Sequence, residues 1–286
     1  MDGFSQKRRI KIVIIGLVIL PIFLIYFDIS DTHAGENDRL IGECTVGVFS
    51  GSITDDGRPI LWKNRDIYDP NQRFIYFAPH QRNGATTFSY IGDVFQDDST
   101  RVWMGTNSQG FAIMNSDSYN LSDTSYEGID DGQIMNWALE VCSTLRDFEL
   151  LLDSTNVIGR GYCWNFGALD VSGACAIYEC ANRSYVKFDP DNPDNDSPGY
   201  IIRANYSISG DSSIHVGLDR FTRARQLVAN RLGQGPLDVG FVLSGLSRDL
   251  GNYLDDPYPL PYHRSQLSGP PGYIYDAGQR LGRVGQ

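Results

Sequence analysis

Cys44 is placed where one residue could supply both a nucleophile and the base that activates it. It opens a strand-like segment, Thr45–Phe49, a short distance after an apolar leader. If the chain is cut between Glu43 and Cys44, the cysteine carries a free α-amino group beside its own thiol. An α-amine titrates near roughly 7.7–8.0 and a thiol near about 8.5, so the amine can accept the thiol proton close to neutral pH.

The composition is that of a globular domain and not of a nucleic-acid-binding protein. The chain has 286 residues, 41% of them hydrophobic, and a formal net charge of −11. Binding of nucleic-acid phosphates needs clustered cations, and beyond the N-terminus the basic residues here are dispersed. We therefore expect one large domain and no nucleic-acid partner.

The N-terminus has the pattern of a targeting segment. Residues 7–11 are rich in lysine and arginine, residues 12–27 are apolar, and small residues follow near position 34. This pattern predicts a signal peptide over residues 1–34 and a short propeptide over residues 35–43. A retained membrane anchor stays open, although the apolar run is shorter than the ~20 residues that span a bilayer. We expect the protein to be exported to the periplasm or the extracellular space, or anchored through residues 12–27.

A lipid-modified cysteine is a third interpretation of Cys44. It would require small residues directly before the cysteine and an adjoining apolar run. Glu43 and the polar stretch that begins at Asp28 argue against it.

The remaining cysteines are Cys142, Cys163, Cys175 and Cys180. An odd total leaves at least one thiol unpaired, and Cys44 is the cysteine set apart from the others. Cys175 and Cys180 lie five residues apart on a predicted strand and point to opposite faces, so we expect no bridge between them. Other pairings stay open, and small buried hydrophobes are the more frequent role.

The hydrophobic pattern predicts strands, then helices, then strands and helices again. The turn Asp55-Asp56-Gly57 predicts a hairpin between residues 45–49 and 60–62. Helical spacing predicts a helix after an N-cap at Asp131 and a second helix from Leu145. Further strands are predicted at residues 74–77, 88–91, 102–104, 111–114, 164–168, 174–180, 185–188 and 200–204, and further helices at 220–232 and 239–250. This order indicates an α+β fold.

The motifs of several rival chemistries are absent from the sequence. It contains no Gly-x-Ser-x-Gly segment, no His-Glu-x-x-His segment and no phosphate-binding loop. The four histidines lack metal-ligand spacing, so we expect no metal site. A dyad of Cys44 with His80 or His215 stays open, although neither histidine lies in a recognisable motif.

Several segments, in this order, resemble those of a known family. They are Cys44-Thr45 opening a strand, a second strand ending at Asp66, residues 164–170 with Gly173, Arg203-Ala204-Asn205, and Asp219-Arg220-Phe221. The set resembles the N-terminal-nucleophile hydrolases of the choloylglycine hydrolase, penicillin V acylase and isopenicillin N acyltransferase type. The similarity extends from Cys44 to about Arg225, and it implies a four-layer αββα sandwich over residues 44–286.

The resemblance also implies roles for four residues. Cys44 is the nucleophile, Asp66 holds its amine, Asn205 donates to the oxyanion, and Arg220 orients the surroundings of the nucleophile and favours the thiolate.

Three further residues are candidates for the substrate-binding region. The family often has an arginine three residues before the aspartate, whereas here Lys63 stands at that position and Arg65 adjoins Asp66. Which cation faces the site stays open. Asn115 is the third candidate.

The predicted activity is hydrolysis of a linear, non-peptide amide through a thioester on Cys44. The partner is a small-molecule amide, and the chemistry requires neither a metal ion nor an organic cofactor. Transfer of the acyl group to another amine is the alternative within the family. A non-catalytic exported binding protein, in which Cys44 is never unmasked, is the alternative from a different class. The substrate and a homo-oligomeric state stay open.

The resemblance predicts more strands after Tyr273-Ile274-Tyr275. Residues 276–286, however, are polar and contain glycine. We therefore expect sheets that are incomplete toward the C-terminus and that keep an unpaired edge.

Overall fold

The computed structural model describes residues 44–65, 71–121, 127–194 and 198–255. The predicted signal peptide and propeptide, and the strands expected after Tyr273, lie outside the described residues. Within them, two antiparallel sheets lie face to face and helices cover the outer face of each sheet. The predicted α+β sandwich is confirmed.

The described ranges contain twelve strands, three α-helices and two shorter helical segments. Strands β1 to β12 are Thr45–Phe49, Ile60–Asn64, Gln72–Phe77, Gln81–Arg82, Ala85–Thr86, Tyr90–Phe95, Met104–Asn107, Ala112–Asp117, Trp164–Leu169, Cys175–Cys180, Tyr185–Phe188 and Tyr200–Arg203. Helices α1 to α3 are Asp131–Val141, Leu145–Ile158 and Leu218–Leu232, with a 3₁₀ turn at Gly51–Ile53 and a π-helix at Phe241–Leu246.

The smaller sheet has β1 at its centre. Its strand order is β12-β1-β2, and the predicted hairpin of β1 with β2 is present. All five residues of β1 are buried because the strand is covered on both faces. Val46 and Val48 pack against Met114 of the larger sheet, whereas Phe49 belongs to the core beneath α3.

The larger sheet has seven strands in the order β11-β10-β9-β8-β7-β6-β3. Helices α1 and α2 cover its outer face, where Phe148 of α2 is fully buried. The Phe148 ring meets Tyr178 edge-on at 5.2 Å and Phe166 edge-on at 5.8 Å. These contacts pack α2 onto β9 and β10, so one face of the sheet belongs to the helices and the other faces the smaller sheet.

The start of α1 differs from the prediction by one residue. The N-cap is Asp130, whose side chain accepts from the backbone N–H of Gly132 at 2.9 Å. Asp131 is instead the first helical residue, and it is 2% exposed. The second predicted helix is confirmed as α2, and Thr144 and Asp147 form a capping box at its start.

The boundaries of other elements also differ from those predicted. The strand predicted at 88–91 runs from Tyr90 to Phe95, and the helix predicted at 239–250 is only the short π-helix at Phe241–Leu246. Gly240 and Gly245 flank and interrupt this segment, and glycine weakens helices. No helix in the described part of the chain is both long enough and apolar enough to cross a bilayer.

All five cysteines are free thiols. Cys142, Cys175 and Cys180 are buried, as expected for small hydrophobic residues. Burial raises the pKa of the Cys175 and Cys180 thiols to about 12, so they are poor nucleophiles.

Candidate active site

Two polar side chains from distant parts of the chain meet at the start of β1. The backbone N–H of Cys44 donates to Oδ1 of Asn205 at 2.9 Å. Arg220 donates from Nη1 to the carbonyl oxygen of Cys44 at 2.7 Å and from Nη2 to Oδ1 of Asn205 at 3.0 Å. The structure therefore brings three of the predicted site residues, Cys44, Asn205 and Arg220, into one buried hydrogen-bonded group.

The orientation of the Asn205 amide follows from its partners. Guanidinium and backbone N–H groups can only donate, so the oxygen of Asn205 must face both Arg220 and Cys44. Its Nδ2 points away and donates to the carbonyl oxygen of Asp117 at 3.3 Å. In this arrangement Asn205 presents an acceptor to the Cys44 nitrogen, whereas the role implied by the sequence was that of an oxyanion donor.

Each partner is held by its own element. Asn205 follows β12, and its backbone N–H donates to the carbonyl oxygen of Val216 at 3.1 Å. Arg220 lies in the first turn of α3 and also donates to Oγ1 of Thr45 at 3.1 Å. The end of β12 and the start of α3 thus converge on the start of β1.

Gly217 makes the approach of Arg220 sterically feasible. This residue caps α3 with φ of 81°, in the left-handed region that favours glycine. A Cβ atom at this position would lie 2.3 Å from Nη2 of Arg220. Any larger residue must displace the guanidinium that holds Cys44 and Asn205.

Lys63 forms a second polar group together with Asn115. Its ammonium donates to Oδ1 of Asn115 at 2.6 Å and to the carbonyl oxygen of Trp103 at 2.9 Å. Asn115 in turn donates to Oδ2 of Asp131 at 2.5 Å. These contacts connect β2 of the smaller sheet to β8 and to the start of α1.

The electrostatic surroundings of Lys63 lower its pKa to about 8. Burial is the largest cause, since it disfavours the charged ammonium, and the charge of Arg65 acts in the same direction. Cys44, Asp131 and Asp93 oppose the shift through Coulombic attraction. Lys63 therefore changes charge within the pH range in which an N-terminal amine and a thiol also titrate.

Arg65 lies between aromatic rings next to the same group. Its guanidinium sits 4.5 Å from the centroid of the Trp103 ring and 5.6 Å from that of Phe95, and its Nε donates to Gln72 at 2.7 Å. Burial lowers its pKa, and Coulombic attraction from Cys44 opposes this. Among the described residues, its buried Nη2 has no hydrogen-bond partner.

Strand register places both cations on the side of Cys44. Thr45 pairs with Asn64 and Val46 with Lys63, so the same register puts Cys44 opposite Arg65. Because directly opposite residues of an antiparallel pair share a face, Cys44, Lys63 and Arg65 all belong to the face toward the larger sheet. Both cations also interact electrostatically with Cys44.

Asp66, the residue expected to hold the Cys44 amine, lies outside the described residues. Two acidic residues that the sequence did not indicate are present near Lys63 instead. Asp93 of β6 is 7% exposed, and burial raises its pKa. The sequence predicts Asp131 as a helix cap. The structure shows that it also accepts from Asn115 and interacts electrostatically with Lys63.

The histidines of the alternative dyad make other contacts. His80 lies 3.5 Å from the carboxylate of Glu140, and His215 packs edge-on against Tyr206. Among the described residues, no group of histidine, cysteine and acidic side chains has the geometry of a metal site.

An apolar groove of about 450 Å³ lies along β2, between the two sheets. Its apolar lining includes Leu61, Phe74, Ile91, Met104, Met114 and Leu169. Met104 and Met114 of this lining are the chain neighbours of Trp103 and Asn115, the two residues that Lys63 contacts.

Comparisons with known proteins found similarity to solved structures only. No protein-family model and no curated protein matches the chain. Solved structures that are similar include a variant of conjugated bile acid hydrolase from Clostridium perfringens, with 16% identity, 71% of this chain and 79% of that chain covered, and a TM-score of 0.46. An N-acylethanolamine-hydrolyzing acid amidase ortholog from Caenorhabditis elegans is 14% identical; the match covers 71% of this chain and 86% of that chain, with a TM-score of 0.47. Penicillin V acylase from Agrobacterium tumefaciens is 15% identical; the match covers 72% of this chain and 63% of that chain, with a TM-score of 0.34.

Replacement of Gly217 tests the placement of Arg220. We expect Gly217→Ala to weaken the contacts of Arg220 with Cys44 and Asn205, because the new methyl group overlaps the guanidinium and the backbone is strained. The rate of Cys44 alkylation, measured by peptide mass mapping, should differ between Gly217→Ala and the wild-type protein. Gly173→Ala is the matched control, since Gly173 also has positive φ (91°) but an added Cβ meets nothing within 4 Å. Equal alkylation rates in the two variants would contradict the assignment.

Replacement of Lys63 tests its effect on the sulfur. We expect Lys63→Met to slow Cys44 alkylation at pH 7, because the variant removes a cation that interacts electrostatically with Cys44 from the same face of the hairpin. In Lys63→Arg the cation persists above pH 8, so the alkaline part of the alkylation profile should change relative to wild type. Identical pH profiles for the wild-type protein and both variants would show that Lys63 does not act on Cys44.

Proposed function

We propose that Cys44, once it is the first residue of the mature chain, hydrolyses a linear amide through a thioester intermediate. The observation that supports this most strongly is the hydrogen bond from the Cys44 nitrogen to Asn205, reinforced by Arg220. With residue 43 attached, this nitrogen is a peptide N–H and cannot act as a base. After cleavage it becomes an amine held next to its own thiol.

The proposed reaction has two stages. The α-amine accepts the thiol proton, the sulfur bonds to the amide carbonyl carbon, and the carbonyl electron pair moves to the oxygen. When the tetrahedral intermediate collapses, the C–N bond breaks and the leaving amine takes the proton from the ammonium. Water then adds to the thioester, its proton passes to the α-amine, and the C–S bond breaks to release the carboxylic acid and the thiol.

Different residues are proposed to act on the nitrogen and on the sulfur of Cys44. The oxygen of Asn205 accepts from the nitrogen of Cys44, and Arg220 fixes that oxygen. The positive charge of Arg220 also disfavours a second positive charge on the nitrogen, which keeps the amine available as a base. Lys63 and Arg65 lie on the side of the sulfur, and both interact electrostatically with Cys44.

The acyl part of the substrate is proposed to be apolar and to lie in the groove along β2. The groove is lined by Ile60, Leu61 and Trp62 of β2, and its lining is mostly aliphatic and aromatic. A bound acyl chain would be removed from water without the loss of a polar partner.

We further propose that residues 1–34 direct export and that removal of residues 35–43 exposes Cys44. N-terminal sequencing and intact mass of the active protein test both steps. A mature chain that starts at Cys44 supports the hydrolase. A chain that starts at Gly35 or Met1 and has no amidase activity instead supports an exported binding protein.

Replacement of the nucleophile gives the clearest functional variant. We expect Cys44→Ala to abolish both cleavage after Glu43 and amide hydrolysis, because no other residue supplies both sulfur and amine. Cys175→Ala, at a buried cysteine in β10, is the matched control and should retain both. Turnover by Cys44→Ala would refute the nucleophile. Release of an N-acyl product when an added amine is present would favour the acyltransferase alternative.

Substitutions of Asn205 separate loss of contact from change of charge. We expect Asn205→Ala to lower kcat by about 10²-fold, the scale of a displacement of about 1 Å, because the nitrogen of Cys44 loses the side chain that holds it. Asn205→Asp keeps the size but places a carboxylate beside the Cys44 nitrogen, which favours the protonated amine. The acid limb of the kcat/KM profile should therefore shift to higher pH. An unshifted acid limb in Asn205→Asp would mean that Asn205 does not contact the base.

A further inference from the structure

Three polar residues lie side by side on the face of the larger sheet that meets the smaller sheet. Ser116 of β8 pairs with Asn165 of β9, and Asn165 pairs with Glu179 of β10. Each of the three is at most 1% exposed. We name these three residues the polar row.

The first two members of the row bind the backbone around Asn205. Oγ of Ser116 donates to the carbonyl oxygen of Ala204 at 2.8 Å. Nδ2 of Asn165 donates to the carbonyl oxygen of Tyr206 at 3.3 Å, and Oδ1 of Asn165 accepts from Oγ of Ser207 at 2.7 Å. The two residues that flank Asn205 are therefore both held through their carbonyl oxygens.

Glu179 binds both ends of the segment that contains Asn205. Its carboxylate accepts from the backbone N–H groups of Ile208 and Ser209, each at 2.8 Å, and from Oγ of Ser209 at 2.5 Å. It also accepts from Nε of Arg203 at 2.5 Å, in an ion pair in which both side chains are buried. The row thus spans the whole segment from Arg203 to Ser209.

The polar row is better explained as a means of positioning the bound segment than as a source of folding stability. A buried polar residue gains little net free energy from hydrogen bonds that replace those to water, and a buried ion pair is weak evidence for stability. The neighbours of the row on the same face, such as Met114 and Ile177, are apolar and pack without such costs. What the three polar residues add is a set of directional bonds from the larger sheet to one loop of the smaller sheet.

We propose that the polar row positions Asn205, so that the larger sheet sets where the acceptor for the Cys44 nitrogen lies. The inference rests on the proposed function, because Asn205 matters only if Cys44 reacts. The residues of the row are positioning residues and do not touch the reacting atoms. Since a displacement of about 1 Å can cost roughly 10²-fold in rate, loss of one member should lower kcat by about 10-fold or more.

Asn165→Ala and Asn182→Ala form a matched pair that separates positioning from stability. Asn182 is also a buried asparagine that donates to backbone carbonyl oxygens, those of Glu127 and Arg160, but it lies away from the Asn205 segment. We expect both variants to lower the midpoint of thermal unfolding. Only Asn165→Ala should lower kcat by about 10-fold or more at little change in KM. Equal kcat values for the two folded variants would overturn the proposal.

Ser116→Ala gives a second test if Asn165→Ala does not fold. It removes a single hydroxyl, and its expected effect is a smaller loss of kcat in the same direction. A kcat within twofold of the wild-type value in both Ser116→Ala and Glu179→Gln would also overturn the proposal.

A readout at Cys44 itself keeps the test separate from the proposed function. If no amide is hydrolysed, the proposed function fails, but the rate of Cys44 alkylation against pH can still be compared among the variants. We expect Asn165→Ala to shift this profile and Asn182→Ala to leave it at the wild-type position. Coincident profiles would reject the positioning role whether or not the enzyme is active.

Discussion

The arrangement of this protein depends on one hydrogen bond, from the Cys44 nitrogen to the side-chain oxygen of Asn205. It joins the first residue of the central strand to the segment after the neighbouring strand, more than 150 residues later in the chain. The oxygen can face that nitrogen because Arg220 approaches through the space that Gly217 leaves open. The geometry of one nitrogen is thus controlled from β12, from α3 and from the larger sheet.

The two sides of Cys44 differ in their chemistry. Asn205 and Arg220 hold its backbone, whereas Lys63 and Arg65 lie on the face that carries its sulfur. Under the proposed function the nitrogen and the sulfur of Cys44 need different partners, because the base must be held without being protonated. The register of the β1–β2 hairpin places Lys63 opposite Val46, on the face of β1 that meets the larger sheet.

The sequence was most informative where local chemistry decides the structure. The Asp-Gly turn predicts the β1–β2 hairpin, and helical spacing predicts α1 and α2, which the structure confirms. The resemblance indicated Cys44, Asn205 and Arg220 together. The polar row could not be predicted, because Ser116, Asn165 and Glu179 become neighbours only through the register of three strands. The sequence predicts only a cap at Asp131, because its sequence neighbours do not reveal Asn115 beside it.

Acid-quenched intact mass of the mature protein tests the central claim most directly. The protein is mixed with p-nitrophenyl octanoate, an acyl donor that forms the proposed thioester without an amide substrate of known identity. The account predicts one octanoyl group, located by peptide mapping on a peptide whose first residue is Cys44, and its loss after treatment with hydroxylamine. Acylation at another residue, or no acylation of a chain that begins at Cys44, would contradict it.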